Sequence, residues 1–401
     1  MSDDIPIHGA CDDRFARVRE IFANSFEEGA EIGAAVCFTL DGEPVVDLWG
    51  GHCDSERTRE WQRDTLVNVY STTKGMTAIC AHQLVEQGKL DVDEPVATYW
   101  PEFAAAGKGE LPVRYLLSHQ AGLPAVRKPL PPDALYDWEL MTAALAEETP
   151  WWEPGTRHGY HALSFGYLVG ELVRRISGES LGSYFRRHVA EPLGADFHIG
   201  LAAEHDARTS DLFEAPALPV SENGTGEGGG SAIEGPIGNF LRDMSDPTTL
   251  TGATFGNPRQ PPGAVNSRQW RAAEIPAGNG HGTARALARI YGALSRGGEV
   301  DGVRILETGT LEAAIEEQVF GPDAVLGQLP MRFGLGFMLR QDLIPLGPNP
   351  RAFGHPGAGG SIGFADPDAR VGFGYAMNRM QLSMAGTPSA FAMIRAFFKR
   401  L

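Results

Sequence analysis

Val69-Tyr70-Ser71-Thr72-Thr73-Lys74-Gly75-Met76-Thr77-Ala78 is the stretch on which the fold turns. It runs into residues 79–87, which read as a helix closed by Gly88. Ser71 and Lys74 are three residues apart, so a helix would project both side chains from one face. Ser71 is expected in the first turn, where unpaired backbone N–H groups favour developing negative charge. A serine hydroxyl is a poor nucleophile until a base removes its proton, and a partly desolvated lysine can assist. Ser-x-x-Lys alone is a weak signal, because the pattern recurs by chance. A serine cap followed by a solvated lysine is the competing reading.

Two further segments join it. Trp152-Glu153-Pro154-Gly155-Thr156-Arg157-His158-Gly159-Tyr160-His161-Ala162 leads into a helical stretch over 163–177. Phe353-Gly354-His355-Pro356-Gly357-Ala358-Gly359-Gly360 leads into strand-like sequence. This order of a Ser-x-x-Lys, a tyrosine motif and a glycine-rich strand motif resembles the serine β-lactamase and penicillin-binding-protein superfamily. Within it the motifs are most like those of class C β-lactamases and of the family VIII carboxylesterases built on the same fold. Gly88-Lys89-Leu90-Asp91-Val92-Asp93-Glu94-Pro95 and Leu116-Leu117-Ser118-His119-Gln120-Ala121-Gly122-Leu123-Pro124 look like segments that follow the nucleophile helix there. The resemblance runs from about Gly33 to the C-terminal helix. It implies an α+β, β-lactamase-like fold, an antiparallel sheet flanked by helices beside a mainly helical subdomain. The expected division is a single unit over 1–401. Its α/β subdomain takes about 1–70 and 281–401, and its helical, loop-rich subdomain about 71–280.

Composition bounds the partners. The chain has 401 residues, 42% of them hydrophobic, enough for a sizeable core. A net charge of −17 argues against nucleic acid and anionic membrane surfaces. No run approaches the roughly 18–20 apolar residues of a membrane span. Met1-Ser2-Asp3-Asp4-Ile5 lacks the basic start and apolar stretch of a signal peptide. The expectation is therefore a cytoplasmic protein, or a periplasmic one if a leader has been removed. Cys11, Cys37, Cys53 and Cys80 contain no Cys-x-x-Cys and read as free buried thiols. His158 and His161 flank Tyr160 but lack the acidic or cysteine neighbours of a zinc site, so no metal or other cofactor is expected.

Residues 13–28 read as an amphipathic helix, with Phe15, Val18, Ile21 and Phe22 at helical spacing. Strands are expected at 33–40 and 44–49, joined by the hairpin signal Asp41-Gly42. Mostly helical patterns follow to about Leu193. Residues 202–280 are rich in proline and glycine, with Gly224, Gly226, Gly228, Gly229 and Gly230 close together. In isolation they read as a linker; in a compact enzyme they are expected to form irregular walls over the site. A helix over 283–296, strands over 333–340, 360–366 and 371–377, and a helix over 389–399 complete the chain. Strands at both ends imply one sheet built from N- and C-terminal segments.

Carried over residue by residue, the resemblance makes Ser71 the nucleophile and Lys74 and Tyr160 its general base and acid. A phenol has an ordinary pKa of about 10, too high for a base at neutral pH. A neighbouring ammonium would stabilise the phenolate. On this reading Tyr160, beside Lys74, accepts the Ser71 proton and returns it to the leaving alcohol. The oxyanion donors implied are the backbone N–H groups of Ser71 and Ala358. Gly357 fits a strand whose backbone approaches a ligand closely, and His355 is a candidate for lining the pocket, with a structural role as the alternative. Gly359-Gly360-Ser361-Ile362-Gly363 also satisfies Gly-x-Ser-x-Gly, but that motif requires a helix after the serine. Phe364-Ala365-Asp366-Pro367-Asp368 instead reads as a short strand and turn, so Ser361 is expected to be structural.

The chain departs from the β-lactamase pattern twice. Class C enzymes carry Tyr-x-Asn, whose amide holds the drug side chain, and here the third position is Ala162. They carry Lys-Thr-Gly, where Lys and Thr favour the drug carboxylate, and here stands His355-Pro356-Gly357. Both changes weaken recognition of a penicillin-like anion and leave acyl transfer intact. The expected function is a serine carboxylesterase acting on small, short-acyl esters. Its alternatives are a β-lactamase, D-aminopeptidase or acyltransferase of the same fold, and a non-catalytic binding protein, against which the intact Ser71, Lys74 and Tyr160 argue.

Overall fold

Asp41 and Gly42 both take positive φ, 53° and 88°, the two-residue turn whose twist matches antiparallel strands. It joins β2 (Gly33–Leu40) to β3 (Glu43–Gly51), and β1 (Ile7–Cys11) pairs antiparallel on the outer edge of β3. The computed structural model describes residues 5–213, 236–383 and 385–401. Three short strands, β4 (Val67–Asn68), β5 (Phe197–His198) and β6 (His281–Gly282), form a small sheet of order β4-β6-β5. It ties together segments from both sides of the residue 70 and 281 boundaries. A separate hairpin pairs β7 (Glu299–Val300) with β8 (Val303–Arg304). The main sheet is completed by β9 (Val319–Pro322), β10 (Pro330–Phe333), β11 (Met338–Leu339), β12 (Phe353–Pro356), β13 (Ile362–Asp366) and β14 (Val371–Met377). Among the described residues its nine strands run β1-β3-β2-β14-β13-β12-β11-β10-β9, every pair antiparallel. N- and C-terminal strands meet at β2 and β14, as the pattern of strands at both ends implied.

Helices cover the sheet. Helix Ala16–Glu27 packs against helix Pro388–Phe398, and Phe397 stacks on both Phe15 and Phe38 with centroids 4.2 and 4.1 Å apart. Helix Ala284–Ser295 lies along β2, β13 and β14. A Cβ on Gly374 would stand 2.1 Å from the Ala284 carbonyl oxygen, so that strand position needs glycine for the helix to lie so close. Helix Thr73–Glu86 is buried from Thr73 through Leu84, which explains why its sequence lacks a polar stripe. It ends before Gly88, at φ +65°. Among the described residues no helix is long and apolar enough to cross a membrane.

Four expectations change. The strand expected over 333–340 is a hairpin: Gly334-Leu335-Gly336 break it, and the Gly334 N–H donates to the Phe337 carbonyl at 2.9 Å. The strand expected from Gly360 begins at Ile362, because Ala358–Gly360 form a helical turn first. Within 202–280 the described part carries three helices, Pro236–Ser245, Leu250–Gly256 and Arg268–Ala272, rather than irregular chain alone; the glycine cluster 224–230 lies outside the described residues. All four cysteines are free, but Cys11 is only half-buried.

Candidate active site

Ser71 stands two residues ahead of the helix rather than inside its first turn. Thr72 caps the helix without a side-chain hydrogen bond, and the Lys74 N–H donates to the Ser71 carbonyl at 3.0 Å. Tyr70, immediately before, holds a φ of +44°, left-handed backbone that a bulky residue seldom adopts. Neighbours hold this corner: the Val69 N–H donates to the Gly280 carbonyl at 2.9 Å, and the Gly280 N–H to Thr73 Oγ1 at 2.9 Å.

Lys74 is fully buried, and its Nζ lies 3.2 Å from Ser71 Oγ, 2.7 Å from the Ala162 carbonyl oxygen and 3.0 Å from that of Ala277. Burial pushes its pKa well below the ordinary lysine value. A neutral amine has two N–H donors and one lone pair. Two carbonyls take the donors, and the remaining neighbour is the Ser71 hydroxyl. Nζ also sits 4.7 Å from the centre of the Tyr160 ring. The Tyr160 hydroxyl hydrogen-bonds with Ser71, and burial pushes the phenol above its usual value, with the Asp323 carboxylate adding to the rise. Both directions favour a neutral amine and a neutral phenol. The sequence left open which of the two carries the proton at rest, and burial works against a charge on either.

The third segment meets the first through Ser361. Its Oγ donates to the Val69 carbonyl at 2.8 Å and lies 3.1 Å from Thr72 Oγ1. A Cβ on Gly357 would fall 2.2 Å from both the Val69 carbonyl oxygen and Ser361 Oγ, so only glycine lets β12 pass this close. That contact brings Gly357 and Ala358 beside the Ser71 corner. Ser361 itself is 1% exposed and precedes a strand, the position of a tether rather than of an elbow nucleophile. His355 lies on β12 with its ring 5.9 Å from that of Tyr160. Its Nδ1 sits 2.6 Å from the Pro356 carbonyl, so the proton is on Nδ1. Burial pushes its pKa down to about 3. The ring is neutral, and its buried Nε2 has no hydrogen-bond partner among the described residues.

Two residues around Tyr160 escaped the sequence reading. Asp323, in the β9–β10 turn, accepts the Tyr160 N–H at 3.1 Å; its signal was the turn-forming Gly321-Pro322-Asp323 run. His119, whose ring is 5.1 Å from that of Tyr160, sat unremarked inside the connecting segment 116–124. His158 and His161 prove to be neighbours of these groups: His158 faces Asp323 at 3.8 Å, and His161 Nδ1 lies 2.7 Å from the Gly159 carbonyl.

A hydroxyl, an amine and a phenol in contact, beside a glycine-rich strand, are parts for acyl transfer through a serine. A family model described as beta-lactamase matches residues 18–393. The chain belongs to the beta-lactamase family. It is 37% identical over 394 residues to "Esterase/beta-lactamase LipL" of Mycobacterium tuberculosis (strain ATCC 25618 / H37Rv), covering 96% of this chain and 86% of that one. Among solved structures, one of a family VIII carboxylesterase matches with a TM-score of 0.88 at 42% identity, over 99% of this chain and all of the other. A penicillin-binding-protein homologue from Caulobacter crescentus matches at 0.87 and 38%, with the same coverage. Within the beta-lactamase family the chain is a serine hydrolase, with esterases among its similar proteins.

Proposed function

We propose that the protein is a serine carboxylesterase that hydrolyses small, short-acyl esters through an acyl-enzyme on Ser71. Ser71 Oγ attacks the ester carbonyl while its proton passes to Lys74 Nζ, 3.2 Å away. The ammonium so formed donates to Ser71, Ala162 and Ala277, and the backbone N–H groups of Ser71 and Ala358 receive the oxyanion. Tyr160 gives its proton to the departing alkoxide and recovers one from Lys74. Water then attacks the acyl-serine by the same path, releasing the acid and returning the proton to Ser71. The roles fall as Lys74 base and Tyr160 acid, the division that the two burial effects support.

The observation that carries the substrate class is the neutral His355 where β-lactam-binding relatives have a cation, together with Ala162, which has no amide. Each lost drug contact is worth about 1–3 kcal/mol when it is hydrogen-bonded in a dry site. Esters need only nucleophile, base and oxyanion donors. On one preparation, kcat/KM for p-nitrophenyl acetate or butyrate should exceed that for nitrocefin or a penicillin by at least about a hundredfold, two lost contacts converted at about 1.4 kcal/mol per decade. Comparable values would make the protein a β-lactamase instead.

A further inference from the structure

Tyr160 belongs to no regular element; it lies in the extended run ahead of helix Ser164–Ser177, so no helix or sheet ladder holds its main chain. Two residues from distant segments do. His119 accepts on both sides of it: the Gly159 N–H donates to the His119 carbonyl at 3.0 Å, and the His161 N–H to His119 Nδ1 at 3.1 Å. Asp323 Oδ1 accepts from Tyr160 itself at 3.1 Å, and from Val325 and Leu326 at 2.9 Å each. The next residue, Ala324, donates to the His158 carbonyl at 3.1 Å. All four main-chain units from His158 to His161 are thus tied to the two segments.

We propose that His119 and Asp323 are the two jaws of a clamp that sets the position of the Tyr160 hydroxyl, and that they act on catalysis through Tyr160 alone. The clamp rests on the reading of Tyr160 as the proton carrier. Neither residue is cheap to keep. His119 holds a φ of +62°, strain that persists where the surroundings over-determine it and that clusters at functional sites. Its Nδ1 can accept only while unprotonated, and burial holds it neutral. Asp323 is fully buried, and its Oδ2 and His158 Nε2 face each other with no hydrogen-bond partner among the described residues. A position that only needed filling would carry neither an αL histidine nor a dry carboxylate. Proton transfer falls steeply when the reacting atoms drift by about 1 Å, so holding the main chain is holding the rate.

A double-mutant cycle on p-nitrophenyl acetate tests the clamp. His119→Ala should lower kcat on the order of a hundredfold and leave KM nearly unchanged. His119→Asn should recover most of the loss, because its amide oxygen can accept from His161 and Asn tolerates positive φ. Asp323→Ala should behave like His119→Ala, and Asp323→Asn, which keeps the accepting oxygen, like the wild type. In a Tyr160→Phe background neither alanine variant should reduce the residual kcat further. Should His119→Ala not fold, His119→Phe fills the volume without the acceptor and carries the same cycle. Equal losses in both backgrounds would overturn the clamp while leaving Tyr160 in its role. A Tyr160→Phe enzyme with wild-type kcat would instead remove Tyr160 from catalysis, and the clamp with it.

Discussion

Lys74 has three oxygen neighbours, and among the described residues no carboxylate forms an ion pair with it. Burial alone lowers its pKa, so the neutral base exists at a lower pH than for a free lysine. Activity must rise as protons leave Lys74, and it should do so below the ordinary range. The pH profile of kcat/KM for a p-nitrophenyl ester should climb from acid and level below the ordinary lysine range. A limb centred near about 10.4, the value of an unperturbed lysine, would show that the base is not a burial-lowered Lys74. Lys74→Arg, permanently charged, should be inactive at every pH. The two serines give a second test. Ser71→Ala should remove ester hydrolysis by on the order of 10⁴-fold or more. Ser361→Ala loses a tether to Val69 and should stay within about tenfold, the tether being a buried hydrogen bond worth about 1 kcal/mol. Exchanged results would reverse the assignment. Ser71 and Lys74 could be singled out in the sequence because they stand three residues apart in a motif whose order with the other two is recognisable, although Ser71 lies ahead of the helix. His119 was not: its work is a ring nitrogen and a carbonyl turned toward residues forty positions away, and no periodicity records that.

At the scale of elements, the loop between helix Ala16–Glu27 and β2 carries Glu31 into the core, where the Tyr375 hydroxyl of β14 donates to its Oε1. Burial pushes the Glu31 carboxyl up to about 8, against the opposing pull of the Tyr375 hydrogen bond and Arg379. A carboxyl whose folded value is raised stabilises the fold fully below its unfolded value of about 4.3. It loses that contribution as pH rises through the folded value. Melting temperature should therefore fall between pH 5 and 9. Glu31→Gln, an uncharged isostere, should flatten the decline and melt above the wild type at pH 9. Parallel declines for both proteins would show that Glu31 does not titrate in this window. The same scale explains which strands could be read. β2 and β14 alternate or run apolar over seven or more residues, whereas β9 and β11 are short and take their partners from residues that pattern alone does not supply. The β10–β11 hairpin was read as one strand because Gly334 and Gly336 weaken a strand and also make a turn.

Across the whole molecule, the site is collected from the corner at 69–74, the clamp residues His119 and Asp323, the run 158–162, the carbonyl of Ala277, and β12 with its following turn. Some pieces lie on the sheet or on a helix, others, as around Tyr160, in connecting segments, and the order of motifs along the chain foresaw the meeting of the three motifs but not of His119, Asp323 or Ala277. What order could not convey is the cost of closing it. Thr39 of β2 and Gly372 of β14 bond across the junction of the N- and C-terminal strands yet lie 333 residues apart. During synthesis the ribosome releases β1, β2 and β3 long before β14 exists, leaving β2 with a bare apolar edge. At about 5–20 residues per second that wait lasts roughly 15–70 s, long enough for two nascent chains to pair through their β2 edges. β2, where the N-terminal strands join the C-terminal ones in the finished sheet, is the edge that a holdase must shield first.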